Sequence, residues 1–317
     1  MNVSEFKQRH HFVDTFMVKV GDRYEDKSFE YMKLCFVFRL YWIGRMEEHA
    51  AGLLQYYEQV WPRIAPHVLG WRNATKRGRP SKVNRDTEGI LRNWLSQPSS
   101  APPVMCLFDI YNRMNDFVGA DIRLDFGALD FRNGGSIELY LPAEWVEADP
   151  KQYADWCAEL ASTFQFCSGN AGYGLAIGDH DAESVAFRQL YSLSKHYPGL
   201  DVGAEFSNYL GQGIKGVNWL TFLNPNFVER LGGREMLGAA LQLPEVVVVD
   251  LPTGVMIQAG TRPELGDNNS QENCPHYQAV GRVLAPIRDR NYPQILSIDN
   301  GFLGSTERTQ EWLSRFD

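Results

Sequence analysis

The sequence has no apolar run that approaches the ~20 residues a transmembrane helix requires, and its first residues lack the apolar core of a secretory signal. These absences predict a cytoplasmic protein. Cysteine is also scarce, with five in 317 residues, widely spaced and without a Cys-x-x-Cys pair. Such cysteines are typical of reduced, buried thiols and not of a disulfide framework or a zinc site.

Signatures of catalysis are equally scarce. The seven histidines form no His-Glu-x-x-His motif and no pair with zinc-ligand spacing. The chain also contains no Gly-x-Ser-x-Gly elbow, no phosphate-binding P-loop and no kinase or deaminase signature. We therefore predict a protein without catalytic residues, without a metal or cofactor, and without a small-molecule substrate.

One glycine motif, Gly211-x-Gly213-x-x-Gly216, matches the pattern of dinucleotide-binding loops. In those loops the glycines follow a strand and open a helix, whose N-terminus binds the phosphates. Here the motif precedes a predicted strand. We therefore interpret it as a glycine turn and not as a cofactor site.

Positive charge is in deficit, since 31 Lys and Arg stand against 39 Asp and Glu, a net charge of −8. Such a molecule repels phosphate backbones, so nucleic acid is an unfavourable partner. The acidic excess lies in the second half, where 18 acidic and 7 basic residues occur between Glu138 and Glu272. This pattern indicates either a solvated face or a surface that attracts a basic protein.

The exception is a basic stretch at residues 72–92, with a net charge of +5, which continues into a Ser- and Pro-rich segment that ends at residue 103. We predict a loop over residues 72–103. Its Arg77-Gly78-Arg79-Pro80 motif is similar to the core of an AT-hook, which lies in the minor groove of A·T-rich DNA. DNA binding through Arg77, Arg79 and Lys82 is therefore the alternative function, and a solvated basic loop is the simpler interpretation.

The periodicity of apolar residues predicts an α+β fold. Residues 32–43 alternate as a long strand, and residues 46–61 have helical spacing up to Pro62. Further strands are predicted at residues 104–110, 120–126, 136–141, 217–223, 245–251 and 254–259, the last two as a buried hairpin. Further helices are predicted around residues 87–95, 150–164, 181–194, 225–231, 275–284 and 305–316, with N-caps at Asp149 and Asn224.

We expect these elements to form one domain over residues 1–317, with a mixed, largely antiparallel sheet and helices packed against it. A strand is followed by a helix at residues 32–61 and again at residues 137–164. This repetition is consistent with two related halves and an internal boundary near residues 133–136.

Five segments resemble a known family in their order and spacing: Tyr197-Pro-Gly-Leu-Asp201, Lys215-Gly-Val-Asn-Trp-Leu-Thr-Phe-Leu223, Leu231-Gly-Gly233, Gly254-Val-Met-Ile-Gln-Ala-Gly260 and Pro263-Glu-Leu-Gly-Asp267. The family is that of bacterial type VI secretion immunity proteins. The resemblance is strong at residues 197–284, looser upstream to residue 34, and absent from the basic loop. It implies a non-enzymatic antitoxin that binds and blocks a secreted effector, in some cases a VRR-type nuclease.

The resemblance transfers no binding site, so the interface candidates come from side-chain chemistry. The loop at residues 262–269 follows a strand end, and we expect it to offer Glu264 and Asp267 to solvent, with a turn-capping role as the alternative for Asp267. Asp179, Asp181 and Glu183, around the start of a predicted helix, are further candidates, with stabilisation of that helix as the alternative. Our hypothesis is that an acidic and aromatic surface occludes the effector.

Overall fold

Alternating apolar side chains build most of the strands in this molecule. The computed structural model describes residues 1–73, 81–96, 106–130, 134–179, 181–202, 212–289 and 306–317. Within them, β1 (Val13–Val20) and β2 (Arg23–Glu30) form a two-stranded hairpin. The main sheet contains β3 (Met32–Trp42), β4 (Gly70–Asn73), β5 (Ser81–Lys82), β6 (Cys106–Tyr111), β7 (Arg123–Asp130), β8 (Gly134–Pro142), β9 (Ser168–Ile177), β10 (Leu220–Leu223), β11 (Val246–Leu251) and β12 (Gly254–Ala259).

The main sheet has ten strands in the order β11-β12-β10-β9-β3-β8-β7-β6-β4-β5. Every strand pair that the structure describes in it is antiparallel. The predicted α+β class is confirmed. The predicted boundary near residues 133–136 falls at the β7–β8 connection, of which residues 131–133 lie outside the described residues.

Helices supply the other layer. They are α1 (Val3–Arg9), α2 (Met46–Ile64), α3 (Thr87–Ser96), α4 (Ala143–Ala148), α5 (Pro150–Ala161), α6 (Asp181–His196), α7 (Pro225–Arg230), α8 (Gly233–Ala240), α9 (Pro275–Leu284) and α10 (Thr306–Leu313). Both predicted N-caps are confirmed. The Asp149 carboxylate accepts from the Gln152 amide at 3.1 Å, and the Asn224 side chain accepts from the Phe227 amide at 2.9 Å.

One face of the sheet is apolar and forms the main core. Phe36 and Phe38 of β3 belong to a buried cluster with Leu53 and Tyr56 of α2 and Leu160 of α5. A second buried cluster joins α1, α6 and α10 to the start of β3 and to the base of the β1–β2 hairpin. The opposite face of the sheet is therefore the one available for polar side chains.

Strand β9 was not predicted, although it lies in the middle of the sheet between β3 and β10. Its sequence, Ser-Gly-Asn-Ala-Gly-Tyr-Gly-Leu-Ala-Ile, has no simple alternation, and nine of its ten residues are buried. Close packing explains the glycines, because a Cβ at Gly172 would lie 1.9 Å from Asn218 Oδ1 and one at Gly174 would lie 2.7 Å from Val37 Cγ2. Tertiary contacts therefore override the low strand propensity of glycine here.

Several boundaries also differ from prediction. Helix α2 continues past Pro62 to Ile64, whose side chain is fully buried, because burial at the helix end compensates for the missing amide. The strand predicted from residue 217 begins at Leu220. Strand β11 is the half-exposed edge of the described sheet and not a buried strand. Helices α1, α4 and α8, strands β4 and β5 and the β1–β2 hairpin were not predicted. Strand β5 lies within residues 72–103, where we predict a loop.

Candidate functional site

The face of the sheet opposite the apolar core carries a row of polar residues. Residues that lie directly opposite one another on neighbouring strands share a face of the sheet. One such row crosses seven strands and is polar at every position: Arg72, Asp109, Asp125, Glu138, Arg39, Asn170 and Thr221. The sheet therefore separates an apolar face under α2 and α5 from a charged face.

Arg39 is at the centre of this charged face. Its Nε donates to Glu138 Oε2 at 2.9 Å, one terminal nitrogen donates to Asp201, and the other donates to the Tyr140 hydroxyl at 3.2 Å. The Asp201 carboxylate also accepts from Lys215 Nζ at 2.9 Å. Burial favours the neutral form of Asp201, but Lys215 and Arg39 outweigh it and lower the pKa of this carboxyl.

Asp179 is held in a similar way at the end of β9. Its carboxylate pairs with Arg72 Nη1 at 2.9 Å and with Arg113 Nη2 at 2.7 Å. Burial raises the pKa of Asp179, but Arg113, Arg123 and Arg72 outweigh it and keep that pKa below its usual value. The predicted interface residue Asp179 is thus an ionised carboxylate with two cationic partners.

The negative charge of Asp125 is less well compensated by nearby cations. Asp125 lies in the row between Asp109 and Glu138, and Arg123 is a cationic partner, whose Nε donates to Asp125 Oδ1 at 2.8 Å. Burial raises the pKa of Asp125 well above its usual range despite the Arg123 charge, with the negative charges of Asp109 and Glu138 acting in the same direction as burial. This part of the face would gain from an additional positive charge.

These side chains line a cleft of about 220 Å³ beside α6. Its polar wall holds five carboxylates and two guanidiniums, and its other wall is apolar. The residues are Arg39, Arg123, Asp125, Glu138, Asp179, Glu183 and Asp201, with Tyr140, and on the apolar side Leu175, Ile177, Phe187, Leu190 and Val202. A negative site with an apolar wall suits the aliphatic stem and the cationic head of an arginine or lysine.

The structure brings together some of the predicted interface residues and separates others. Asp179 and Glu183 both line the cleft, and Asp181 is exposed at the first position of α6. Glu264 lies elsewhere, half-buried, with Oε1 at 3.3 Å from His276 Nδ1. These placements identify a candidate site at the cleft.

The expectation that Asp267 faces solvent is wrong, because its side chain is 0% exposed. Its carboxylate accepts from the amides of Asn269 and Ser270 at 3.0 and 3.3 Å, which confirms the turn-capping alternative. It also pairs with Arg9 at 2.6 Å and with His196 at 2.9 Å. Burial opposes ionisation, but the Arg9 and Ser270 hydrogen bonds outweigh it and hold the pKa of Asp267 well below its usual range.

Much of the basic stretch serves the fold or lies outside the described residues. Arg77 and Arg79 are outside them, and Lys82 is exposed in β5. Arg72 pairs with Asp109 and Asp179, and Arg92 pairs with Glu88 at 2.9 Å and with Glu58. DNA binding by this stretch stays a prediction.

The glycine motif lies only partly within the described residues. Gly211 is outside them, and residues 212–219 contain no helix whose N-terminus could bind a phosphate. Within the described ranges, no group of three or more His, Cys, Asp or Glu is placed to hold a metal ion.

Sequence reasoning missed the arginines of the cleft, although a signal for them exists. In β3, large apolar residues occupy one set of alternate positions, and Arg39 belongs to the other set. Arg123 likewise alternates with apolar residues in β7. A charged residue in an otherwise apolar strand indicates a buried ion pair or a site. Asp125, on the polar side of β7, is buried.

The fold and the cleft define an α+β protein whose distinctive site is an acidic recess between a sheet face and a helix. The family model described as TsiV, type VI immunity for VRR-NUC, matches residues 123–316. The chain belongs to this family and is a type VI immunity protein.

The fold is also similar to a solved structure, "Pseudomonas aeruginosa T6SS protein PA0821", with a TM-score of 0.81 over 99% of this chain and 90% of that chain, at 20% identity. At this identity the similarity concerns the fold. No curated protein matches the chain. No helix in the described ranges is long and apolar enough to cross a membrane.

Proposed function

We propose that this immunity protein neutralises a nuclease effector of the VRR-NUC type by binding it and covering the basic surface on which the nuclease holds DNA. The observation that carries the proposal is the cleft beside the exposed start of α6, where Glu183 is exposed and Asp125 lies between two further carboxylates. The effector class comes from the description of the family to which the chain belongs.

Electrostatics supports this pairing. A protein that binds DNA neutralises phosphates with Lys and Arg, so a nuclease presents a basic groove. An acidic surface is complementary to that groove, accelerates the encounter and excludes the DNA that competes for it. Glu183, Asp181 and Asp179 would meet the effector first, and a basic side chain of the effector would enter the cleft towards Asp125.

Inhibition of this kind needs no chemistry from the chain. The cleft arginines are engaged with carboxylates, as in the pairs of Arg39 with Glu138 and of Arg123 with Asp125. Such pairs keep the shape of the surface constant before the partner arrives, which reduces the entropic cost of association.

The test is a titration of the purified cognate effector with this chain in a DNA-cleavage assay. Addition of one equivalent of the chain should abolish cleavage. Glu183→Lys, a charge reversal at the third residue of α6, should weaken inhibition by at least about tenfold. Glu235→Lys is the matched control, because Glu235 is also exposed and is the third residue of α8, which does not line the cleft.

Three results would contradict the proposal. They are unchanged cleavage with excess chain, equal inhibition by both charge-reversal variants, and an inhibition by the unmodified chain that higher salt does not weaken. Screening weakens attraction between unlike charges, so salt should weaken inhibition by the unmodified chain.

A further inference from the structure

The β1–β2 hairpin stands apart from the main sheet. It forms its own two-stranded sheet, and Phe16 is the one buried residue in its two strands. A two-stranded sheet is marginally stable in water and needs a packing partner on at least one face. The contacts of each face therefore indicate which partner stabilises the hairpin.

Side chains on one face of the hairpin pack against another part of the same chain. Phe16 and Phe29 lie on the same face, since Phe16 is opposite Lys27 and Phe29 is opposite Asp14. Both rings stack on Phe117, with centroid distances of 5.1 and 5.5 Å. This aromatic cluster anchors the hairpin to the body of the protein.

The outer face presents three exposed apolar or aromatic side chains among polar ones such as Thr15 and Ser28. Val13 is 56% exposed, and Met17 and Tyr24 are each 67% exposed. Met17 lies opposite Asp26 and Tyr24 lies opposite Lys19, so Met17 and Tyr24 are diagonal neighbours on this face. The solvent face of an antiparallel pair is normally polar, whereas Met and Tyr are enriched in protein interfaces.

The base of the hairpin, where β2 ends, lies beside the cleft. The Tyr31 carbonyl, one residue after β2, accepts from the Gly178 amide at 2.7 Å, and the Glu30 carbonyl accepts from the Gly119 amide at 3.0 Å. The Asp179 amide donates to the Asp116 carbonyl in the same loop as Phe117, at 2.6 Å. Gly178 and Asp179 line the cleft, so the hairpin extends the surface on which the proposed function depends.

The charge and the size of the hairpin both favour the effector as its partner. Residues 13–30 contain five acidic and three basic residues, so the hairpin has the same sign as the cleft. Strands of eight residues at ~3.4 Å each, in a pair ~10 Å wide, give an outer face of about 270 Å². A standard interface buries about 800 Å² on each partner. The hairpin therefore supplies about a third of an interface that the cleft rim would continue.

We infer that the β1–β2 hairpin is a second contact element for the effector, whose surface packs on Met17 and Tyr24 while the cleft receives a basic side chain. This inference rests on the proposed function for the identity of the partner. It adds an apolar anchor to an interface whose other part is electrostatic.

The test uses the full-length chain with Met17→Ser and Tyr24→Ser combined, and the purified effector as the binding probe in calorimetry. The dissociation constant should rise at least about tenfold, because exposed aromatic and Met anchors are typical hot spots when a partner covers them. Met236→Ser on α8 is the matched control, since Met236 is 64% exposed and should leave binding unchanged. Urea midpoints should be the same for all three proteins.

The outcomes separate the two proposals. Tight binding by the double variant would overturn the role of the hairpin and leave the proposed function intact, whereas an unmodified chain that does not bind the effector would remove the proposed function. If the double variant unfolds, hydrogen exchange on the unmodified chain decides, because the effector should protect the amides of residues 17–26. A change in sedimentation of the chain alone on mutation would assign the face to a second copy and overturn the inference.

Discussion

Two buried aspartates, Asp201 and Asp267, organise different parts of this molecule. Asp201 lies on the floor of the cleft, and its cations Arg39 and Lys215 are themselves buried, at 4% and 7% exposure. Asp267 lies in a loop under the N-terminal helix, and the side chain of its cation Arg9 is 48% exposed. The first cluster is largely shielded from water, whereas the cation of the second is half-exposed.

This difference shows that burial of the cation, and not only of the carboxylate, determines how strongly an ion pair constrains the fold. A buried cation that loses its partner keeps an uncompensated charge in a medium of low polarity. A half-exposed cation can turn to water instead. Neither aspartate is free to meet a partner, so the acidic surplus of the sequence overstates the acidic surface.

The sharpest test of the comparison is Asp201→Asn. The substitution keeps the shape of the side chain and leaves Arg39 and Lys215 without their shared carboxylate. We expect the free energy of unfolding to fall by about 3–5 kcal/mol, measured by urea denaturation. A loss below about 1 kcal/mol, the range of an exposed pair, would mean that water reaches the cleft floor and that the two clusters are alike.

Asp267→Asn should have a smaller effect. The amide oxygen can still accept from the backbone amides of residues 269 and 270, and Arg9 can turn to solvent. We expect a loss of about 1–2 kcal/mol in the same assay. Arg9→Gln, which removes the cation of the same ion pair, serves as the control. The free energy of unfolding should fall by less in the double variant than the sum of the decreases in the two single variants. Full additivity would contradict the ion pair.

The smallest expected effect is the dependence of stability on pH that His10 contributes. Burial, together with the nearby His196 and Arg9, lowers the pKa of His10. The unfolded chain therefore takes up this proton near about pH 6.5, and the native protein does so only at lower pH. Stability should be fully present above about pH 6.5 and should decline as the pH falls through the native pKa of His10.

His10→Asn should flatten the decline in unfolding free energy between about pH 7.5 and pH 5, the interval in which an unperturbed histidine titrates. The exposed neighbour His11→Asn is the control and should keep the slope of the unmodified chain. The pKa values of Asp201 and Asp267 are lowered, so both remain ionised in this interval. An equal slope in His10→Asn and the unmodified chain would refute the assignment.

Much of the fold could be predicted from local patterns. Strand β3, helix α9 and the β11–β12 hairpin follow from periodicity and turn residues, and the caps of α5 and α7 follow from Asp149-Pro150 and Asn224-Pro225. Strand β9 could not be predicted this way. Its glycines are selected by the approach of Asn218 and Val37, which belong to distant parts of the chain.

The candidate site was only partly predictable. Asp179 and Glu183 stood out as acidic residues around a helix start, and both line the cleft. Asp267, in a loop after a strand end, was expected to face solvent but is enclosed by Arg9 and His196, which lie 258 and 71 residues away in the chain. The exposure of a carboxylate depends on long-range contacts, which neither charge counts nor turn motifs contain.

The order of residues by itself determined the class of the fold, most of its helices and strands, the excess of acidic charge and the family, because periodicity, capping and segment spacing are local properties of the chain. Only the tertiary structure decided where the charges lie. The register of five antiparallel strands aligns Arg72, Asp109, Asp125, Glu138 and Arg39 across one sheet face, and side-chain packing from distant segments buries some carboxylates and leaves others exposed. A negative cleft exists because the folded sheet brings together charges that are far apart along the chain.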